Sequence, residues 1–438
     1  MSSKRADVGL VPENWAVEEL RAFCSLITYG FTNPMPDADE GPWKLTAKDV
    51  VDGRINYDTA RRTTQDAFDR LTDKSRPRVG DVLLTKDGSI GRVAVVDREG
   101  ICINQSVALI RPNDRIIPDF LKYLLFSPHY QKVMEGDSDG STIKHIYITR
   151  VDKMQVAVPP VSEQKKFLVL IKAVDDRITL LRETNKTLES ISQALFKSWF
   201  IDFDPVRAKM EGKQPEGMDE ATAALFPDSF EESEMGEIPQ GWTCRSLDQI
   251  ATYLNGLALQ KFPASGVDDL PVIKIAQLRK GDTIGADLAS RTMKKEYIIQ
   301  DGDVLFSWSG SLEVEIWCGG EGALNQHLFK VTSEKFPKWF YFLWTRHHLA
   351  HFRQVAASKA TTMGHIQRSH LSEAKALVPP QRLIDALGSV MAPIFERIVG
   401  NALQVQALSN LRDTLLPRLI SGQLRLPEAE AQIGAHTA

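Results

Sequence analysis

The chain has 438 residues, 53 Lys and Arg against 57 Asp and Glu for a net charge of −4, and 43% hydrophobic residues, enough for two or three domains with cores of their own. Its four cysteines, Cys24, Cys102, Cys244 and Cys318, have no paired spacing, which excludes a zinc knuckle or a disulfide framework and fits a reducing cytoplasm. Neither a run of about twenty apolar residues nor a basic-then-apolar leader is present, so membrane insertion and Sec-type export are excluded as well.

From the start of the chain, Val11-Pro12-Glu13-Asn14-Trp15 reads as an extended entry segment that tucks a tryptophan into a core. Short β-type runs follow, VGDVLLT, GRVAVVD, ICINQSVALIRP and MQVAVPP, with turn punctuation such as Asp87-Gly88 and Gly91 between them. One amphipathic helix is predicted from Pro118 to about Met134, with Phe120, Leu121, Leu124 and Leu125 on its apolar face. These elements predict a small mixed α/β domain on an antiparallel or strongly bent sheet. Pro159-Pro160 ends the last strand, and a long helix is predicted from about Glu163 to Phe203, capped by Ser162 and stopped by Asp204-Pro205.

That helix carries apolar residues at Ile171, Val174, Ile178, Leu181, Leu188, Leu195 and Trp199, with Asn185 and Ser192 at the missing beats of an alternating three-and-four spacing. The pattern is a coiled-coil seam, on a rod of roughly 60 Å at about 1.5 Å per residue.

The segment at 211 to 237 holds nine acids and one base, a net of −8, so the remainder of the chain is about +4. This permits binding to nucleic acid without requiring it. Within it, ATAALF has room for one or two helical turns, and its charge predicts that it lies away from phosphate.

Beyond that segment the chain starts again. Thr142, His145, Ile146, Val158, Pro159, Pro160, Arg177, Ile178, Leu188 and Leu195 recur 220 residues later as Thr362, His365, Ile366, Val378, Pro379, Pro380, Arg397, Ile398, Leu408 and Leu415, without a gap. Upstream, with small shifts, Gly80-Asp81-Val82-Leu83 answers Gly302-Asp303-Val304-Leu305, and Asn104-Gln105 answers Asn325-Gln326. One globular part followed by one long helix is therefore present twice. The second seam runs through Met391, Ile394, Ile398, Val405, Leu408, Leu415 and Leu419, with Asn401 as its polar member. Pro393 and Pro417 predict a kink or interruption there, leaving an unbroken core from about Pro393 to Leu416. If the two helices pair antiparallel with pseudo-two-fold symmetry, Asn185 opposite Asn401 gives a constant position sum of 586, which also sets Leu181 opposite Val405. The competing arrangement docks each seam on its own globular part or on another subunit.

No chemistry of the chain's own is legible. Its Pro-Pro pairs sit in Val158-Pro159-Pro160-Val161 and Val378-Pro379-Pro380-Gln381, after β-runs, where they terminate strands instead of forming an Asn- or Asp-Pro-Pro-aromatic loop for a flipped base. The lone Gly212-Lys213 lacks the spacing and the preceding strand of a phosphate loop. His347 and His351 lie at i, i+4 on an apolar helix without an acid or thiol nearby, so no metal site is expected.

The run LFKSWFIDFDPVRAKMEG, followed by DEATAALFPDSFEESEMGEIPQGW and, near the end, by LRDTLLPRLISGQL, resembles the specificity subunits of type I restriction-modification enzymes. The resemblance spans nearly the whole chain. It implies two target-recognition domains, each reading one half of a bipartite DNA site, joined by an antiparallel pair of helical spacers that acts as a ruler. It also implies two methylation subunits carrying S-adenosylmethionine and restriction subunits driven by ATP with Mg, so that this chain is non-catalytic and holds no cofactor. The domains expected are residues 1–160 and 238–380 for recognition, 161–204 and 381–425 for the spacers, an acidic linker over 205–237 and a flexible tail over 426–438. Three other readings stay open: the recognition subunit of a two-subunit system with a fused methylase-nuclease, a fused methyltransferase, and a coiled-coil scaffold without DNA affinity.

Candidate DNA contacts are Lys86, Arg92 and Lys144 in the first repeat and Arg368 in the second, cations in or beside loops. Gln105 and Gln326 carry amides suited to adenine, and His327 follows the latter. Thr142, His145, Thr362 and His365 precede the last strand of each repeat. Features common to both repeats are expected to be scaffold, because two different half-sites need different contacts. Trp308, in Ser307-Trp308-Ser309 where the first repeat has Thr85-Lys86-Asp87, is a divergence of the kind specificity requires.

Overall fold

The computed structural model describes residues 3–6, 9–51, 53–136, 145–358, 364–424 and 428–429. It divides into two compact units, Met1–Arg177 with Ala407–Ala438, and Ile178–Gln406. Each unit is thus one globular repeat together with a piece of both long helices.

In the first unit four antiparallel strands lie in the order Val93–Val95, Val82–Thr85, Val107–Pro112, Cys24–Tyr29. Alternation along the strands divides their side chains between two cores. Val82, Leu84, Ala108 and Ile110 pack with Phe120, Leu121, Leu124 and Phe167 of the helical side. Leu83, Val107 and Leu109 face the other way, onto Leu45, Ile101 and Ile103 of a second sheet. In that sheet Ile101–Ile103 pairs parallel with Ala38–Leu45. ICINQSVALIRP is therefore two strands in two sheets, turned at Asn104-Gln105-Ser106. The last strand, Gln155–Val158, pairs antiparallel with Ala16–Glu19.

The second unit repeats the plan. Its strands lie in the order Val314–Ile316, Val304–Ser307, Leu328–Thr332, Thr252–Asn255. A second sheet contains the parallel pair Leu270–Ile273 and Gly322–Leu324, and Thr243–Ser246 pairs with Lys375–Val378. The repeated Gly-Asp landmark has a folding reason. Asp81 is buried and takes a two-pronged bond from Arg111 at 2.9 and 2.8 Å, and Asp303 takes Lys330 at 2.7 Å. Burying a carboxylate is tolerated only with such a partner.

Both long helices have 40 residues, Val161–Phe200 and Gln381–Ile420. The first starts one residue before Ser162, so the predicted cap lies inside it. The carbonyl of Pro160 takes the first helical bonds instead, from Glu163 and Gln164 at 2.9 and 3.1 Å. Gln164, fully buried, bonds the backbone of Ile117, Arg115 and Pro159 at 2.8 to 2.9 Å and fixes the helix to its domain. Phe200 ends it, Phe203 has a positive φ of 56°, and Asp204-Pro205 opens the next helix, Asp204–Met210, where proline is preorganised for the first turn. The second long helix runs through Pro393 and Pro417, against expectation. Each proline costs about 3 kcal/mol in a helix interior, and burial of Leu387, Met391 and Phe395 around one, and of Leu415, Leu416 and Leu419 around the other, offsets it. The single helix expected from Pro118 is two, Pro118–Phe126 and Pro128–Gly136, because Pro128 breaks it at Ser127.

The helices pair antiparallel. In the second unit Asn401 meets Asn185, and in the first Arg412 meets Asp175 at 3.1 Å. Ile178 and Leu181 are buried, as is Leu408, while Leu188, Ile398 and Val405 are half-buried. Residues 205–237 are more ordered than a linker: Glu220–Leu225 is helical, Phe230–Ser233 and Gly236–Pro239 form a hairpin, and Val206, Phe226 and Ile238 enter the second core. Among the described residues no helix is long and apolar enough to cross a membrane.

Candidate nucleic-acid interface

In each unit three connections meet at one end of the four-stranded sheet, and the same backbone bonds hold them. The amide of Gly30 donates to Val107 and that of Gln105 to Phe31, as Gly256 donates to Leu328 and Gln326 to Leu257. Lys86 donates to Ser106 and Ile146 to Lys86, as Trp308 donates to His327 and Ile366 to Trp308. Asp87 bridges His145 as Ser309 bridges His365. The glycines are obligatory here. A Cβ on Gly30 would lie 1.8 Å from the Ile103 carbonyl oxygen, and one on Gly256 2.1 Å from that of Asn325. The asparagine of each Asn-Gln pair closes the turn: Asn104 Oδ1 accepts from the amide of Ser106 at 3.1 Å, and Asn325 Oδ1 from that of His327 at 3.2 Å. Folding therefore uses the asparagines, while Gln105 is exposed and Gln326 half-buried.

On this common frame the side chains differ. In the first unit the carboxylate of Asp87 accepts from Lys86 Nζ at 2.9 Å and from His145 Nδ1, and the ammonium lies 5.3 Å from the ring centre of Tyr29. The Lys86 side chain is only 7% exposed, so it is not the loop cation reaching for phosphate that its position suggested. Its charge is neutralised by Asp87 and its stem is packed inward. Arg92 is exposed and reaches the Val50 carbonyl at 3.3 Å. Tyr147 packs edge-on against His145 at 4.6 Å, with Arg150 at 5.4 Å from its ring.

In the second unit Trp308 takes the place of Lys86. It is half-buried, and its indole N–H donates to Asn255 Oδ1 at 2.9 Å and to the Gln326 carbonyl at 3.1 Å. Ser309 Oγ lies 2.9 Å from His327 Nδ1. His327 and His365 flank the indole at 5.8 and 6.3 Å between ring centres. Arg368 is exposed, donates to the Tyr253 carbonyl at 3.3 Å and covers Phe329 at 5.8 Å. The candidates Lys144 and Thr362, like Thr142, lie outside the described residues. The three histidines of helix Lys338–Ser358 are elsewhere: His348 bonds the Lys375 carbonyl at 2.8 Å, and burial depresses its imidazole to about 4.

The structure thus gathers Lys86, Gln105 and His145 at one edge, and Trp308, Gln326, His327 and His365 at its counterpart. Sequence reading missed Tyr29 and Tyr147, each 46% exposed beside the Asp87 network, and Asn255 under the indole. The signal for Tyr29 and Asn255 was available, since each precedes the glycine that the close approach requires.

The family sequence model of the type I restriction modification DNA specificity domain matches residues 12–190 and 239–385, one segment on each repeat. The chain is 26% identical over 441 residues to the type I restriction enzyme MjaIX specificity subunit of Methanocaldococcus jannaschii, with 97% of both chains covered. It is 26% identical over 406 residues to the HindI specificity subunit of Haemophilus influenzae, with 80% of this chain and 88% of that one covered. In fold it is similar to the crystal structure of a type I restriction-modification S subunit from M. genitalium, at a TM-score of 0.54 and 14% identity over 93% of this chain and 96% of the other. With both repeats matched and most of the sequence covered, the chain belongs to the family of type I restriction-modification DNA specificity subunits.

Proposed function

We infer that this chain is the sequence-reading subunit of a type I restriction-modification complex, in which each unit contacts one half of a bipartite site in duplex DNA. The observation that carries this is the pair of loop edges that share a set of backbone bonds but differ in the side chains at Tyr29 and Asn255, Lys86 and Trp308, and Asp87 and Ser309. A duplicated domain that keeps its frame while changing what the frame presents is built to bind two related but unequal sequences. The antiparallel helices then set the number of unread base pairs between the half-sites. Two methylation subunits, supplying S-adenosylmethionine and the transfer of a methyl group to adenine, and restriction subunits using ATP and Mg2+, are the partners this reading calls for. The chain's own part is binding, orientation and assembly, with no catalytic step.

The test is to sequence modified adenines in a host carrying the methylation partner with and without this gene. A bipartite motif that appears only with the gene supports the reading. Methylation independent of the gene, or a continuous motif, overturns it.

A further inference from the structure

We propose that Tyr29, Tyr147 and Gln105 form the base-contacting edge of the first unit, and that Lys86, Asp87 and His145 position that edge without themselves neutralising phosphate. The assignment rests on the sequence-reading function above and specifies its chemistry in one half.

Lys86, where the connections meet, is committed to Asp87 and lies against the ring of Tyr29, so the centre of this edge is a closed ion network. What it turns outward are two phenols and an amide. Tyr29 and Tyr147 each keep 46% of their surface exposed, and Gln105 is exposed with its backbone amide bonded to Phe31, two residues after Tyr29. Exposed tyrosines held from behind lose little conformational entropy on binding, and offer a ring face for a thymine methyl and a hydroxyl for a base edge. A glutamine amide suits the paired donor and acceptor of adenine. Such a surface discriminates bases but releases few counterions.

The second unit supports the assignment by contrast. Where the first has Tyr29, Lys86, Asp87, Ser106 and Tyr147, the same frame carries Asn255, Trp308, Ser309, His327 and Gln367. The ion network is replaced by an indole bonded to Asn255 and a serine–histidine contact. The two tyrosines change with their supports, as two heads reading different bases require, while Gln105 keeps a glutamine counterpart in Gln326.

The experiment uses the full chain assembled with its methylation partner, and duplexes carrying the methylated motif or that motif with one half scrambled. Tyr29→Ala and Tyr147→Ala should each lower discrimination of the first half-site by roughly tenfold or more. Discrimination of the second half-site, non-specific affinity and the dependence of binding on salt should stay unchanged. Tyr29→Phe and Tyr147→Phe, which keep the rings, serve if the alanine variants lose the fold of the unit; at least one should still relax the first half-site. Replacing all five residues by their second-unit counterparts should alter the first half of the motif. First-half discrimination within twofold of the parent in folded variants, or an equal loss on every duplex with a reduced salt slope, overturns the proposal. A parent complex that shows no bipartite motif defeats the functional reading itself, a different result from intact reading by the variants.

Discussion

Asn401 donates a 2.8 Å hydrogen bond from Nδ2 to Oδ1 of Asn185, whose own amide donates to the Ile398 carbonyl at 2.9 Å. Asn401 is 2% exposed and Asn185 half-buried, so this is a largely buried amide pair in a mostly apolar seam. Asn401→Leu alone strands the Asn185 carbonyl and should cost about 1–3 kcal/mol. Changing both residues to leucine should recover that loss or exceed the parent in stability, while weakening the choice of register. Urea denaturation in a double-mutant cycle measures it, and additive losses would contradict the pairing.

The length of the helix pair should be readable in the methylation motif. Removing one heptad from each helix takes out about 10 Å of rod, or about three base pairs at roughly 3.4 Å each. The bases of both half-sites should persist while the gap between them shrinks. An unchanged gap would refute the ruler.

The contacts of Gly30 and Gly256 leave no room for a methyl group. Gly30→Ala should destabilise the first unit by about 2 kcal/mol or more through overpacking and abolish recognition of the first half-site only. Gly256→Ala should do the same to the second. Calorimetry with half-site binding distinguishes them; loss of both half-sites from either change would show that the frames are not independent.

Glu315 lines a small cavity of about 120 Å³ with Asn185, Glu189, Ser192, Arg346 and Phe395. Burial raises its carboxyl from 4.5 to about 7; Arg346 and Arg353 oppose the shift, and Glu189 and Glu313 add to it. A carboxyl raised in the folded state favours folding while protonated. That contribution is therefore full below about 4.5 and lost as pH climbs to about 7. The loss is on the order of 3 kcal/mol. The melting temperature of the second unit should fall from pH 5 to pH 8, and Glu315→Gln should flatten that fall. An identical pH slope in the variant would remove Glu315 as the cause.

Much of this molecule was legible before any coordinates. Heptad spacing, the 220-residue repeat and the facing asparagines depend on the regular rise and turn of a helix, which residue order reports directly. The Gly-Asp landmark and the asparagine of each Asn-Gln pair were legible as scaffold, because they recur in both repeats and each closes a bond of the frame. The linker hairpin and the unbroken run through Pro393 and Pro417 were not, since burial against a distant core outweighed local preference there. The reading edge itself belonged to tertiary structure. Lys86 is turned inward and Tyr147 left outward by a carboxylate that also binds His145, 58 positions away in the chain. Which loop side chains face solvent depends on such distant partners, for which no local periodicity exists, so residue order determined the frame and folding alone decided what the frame displays.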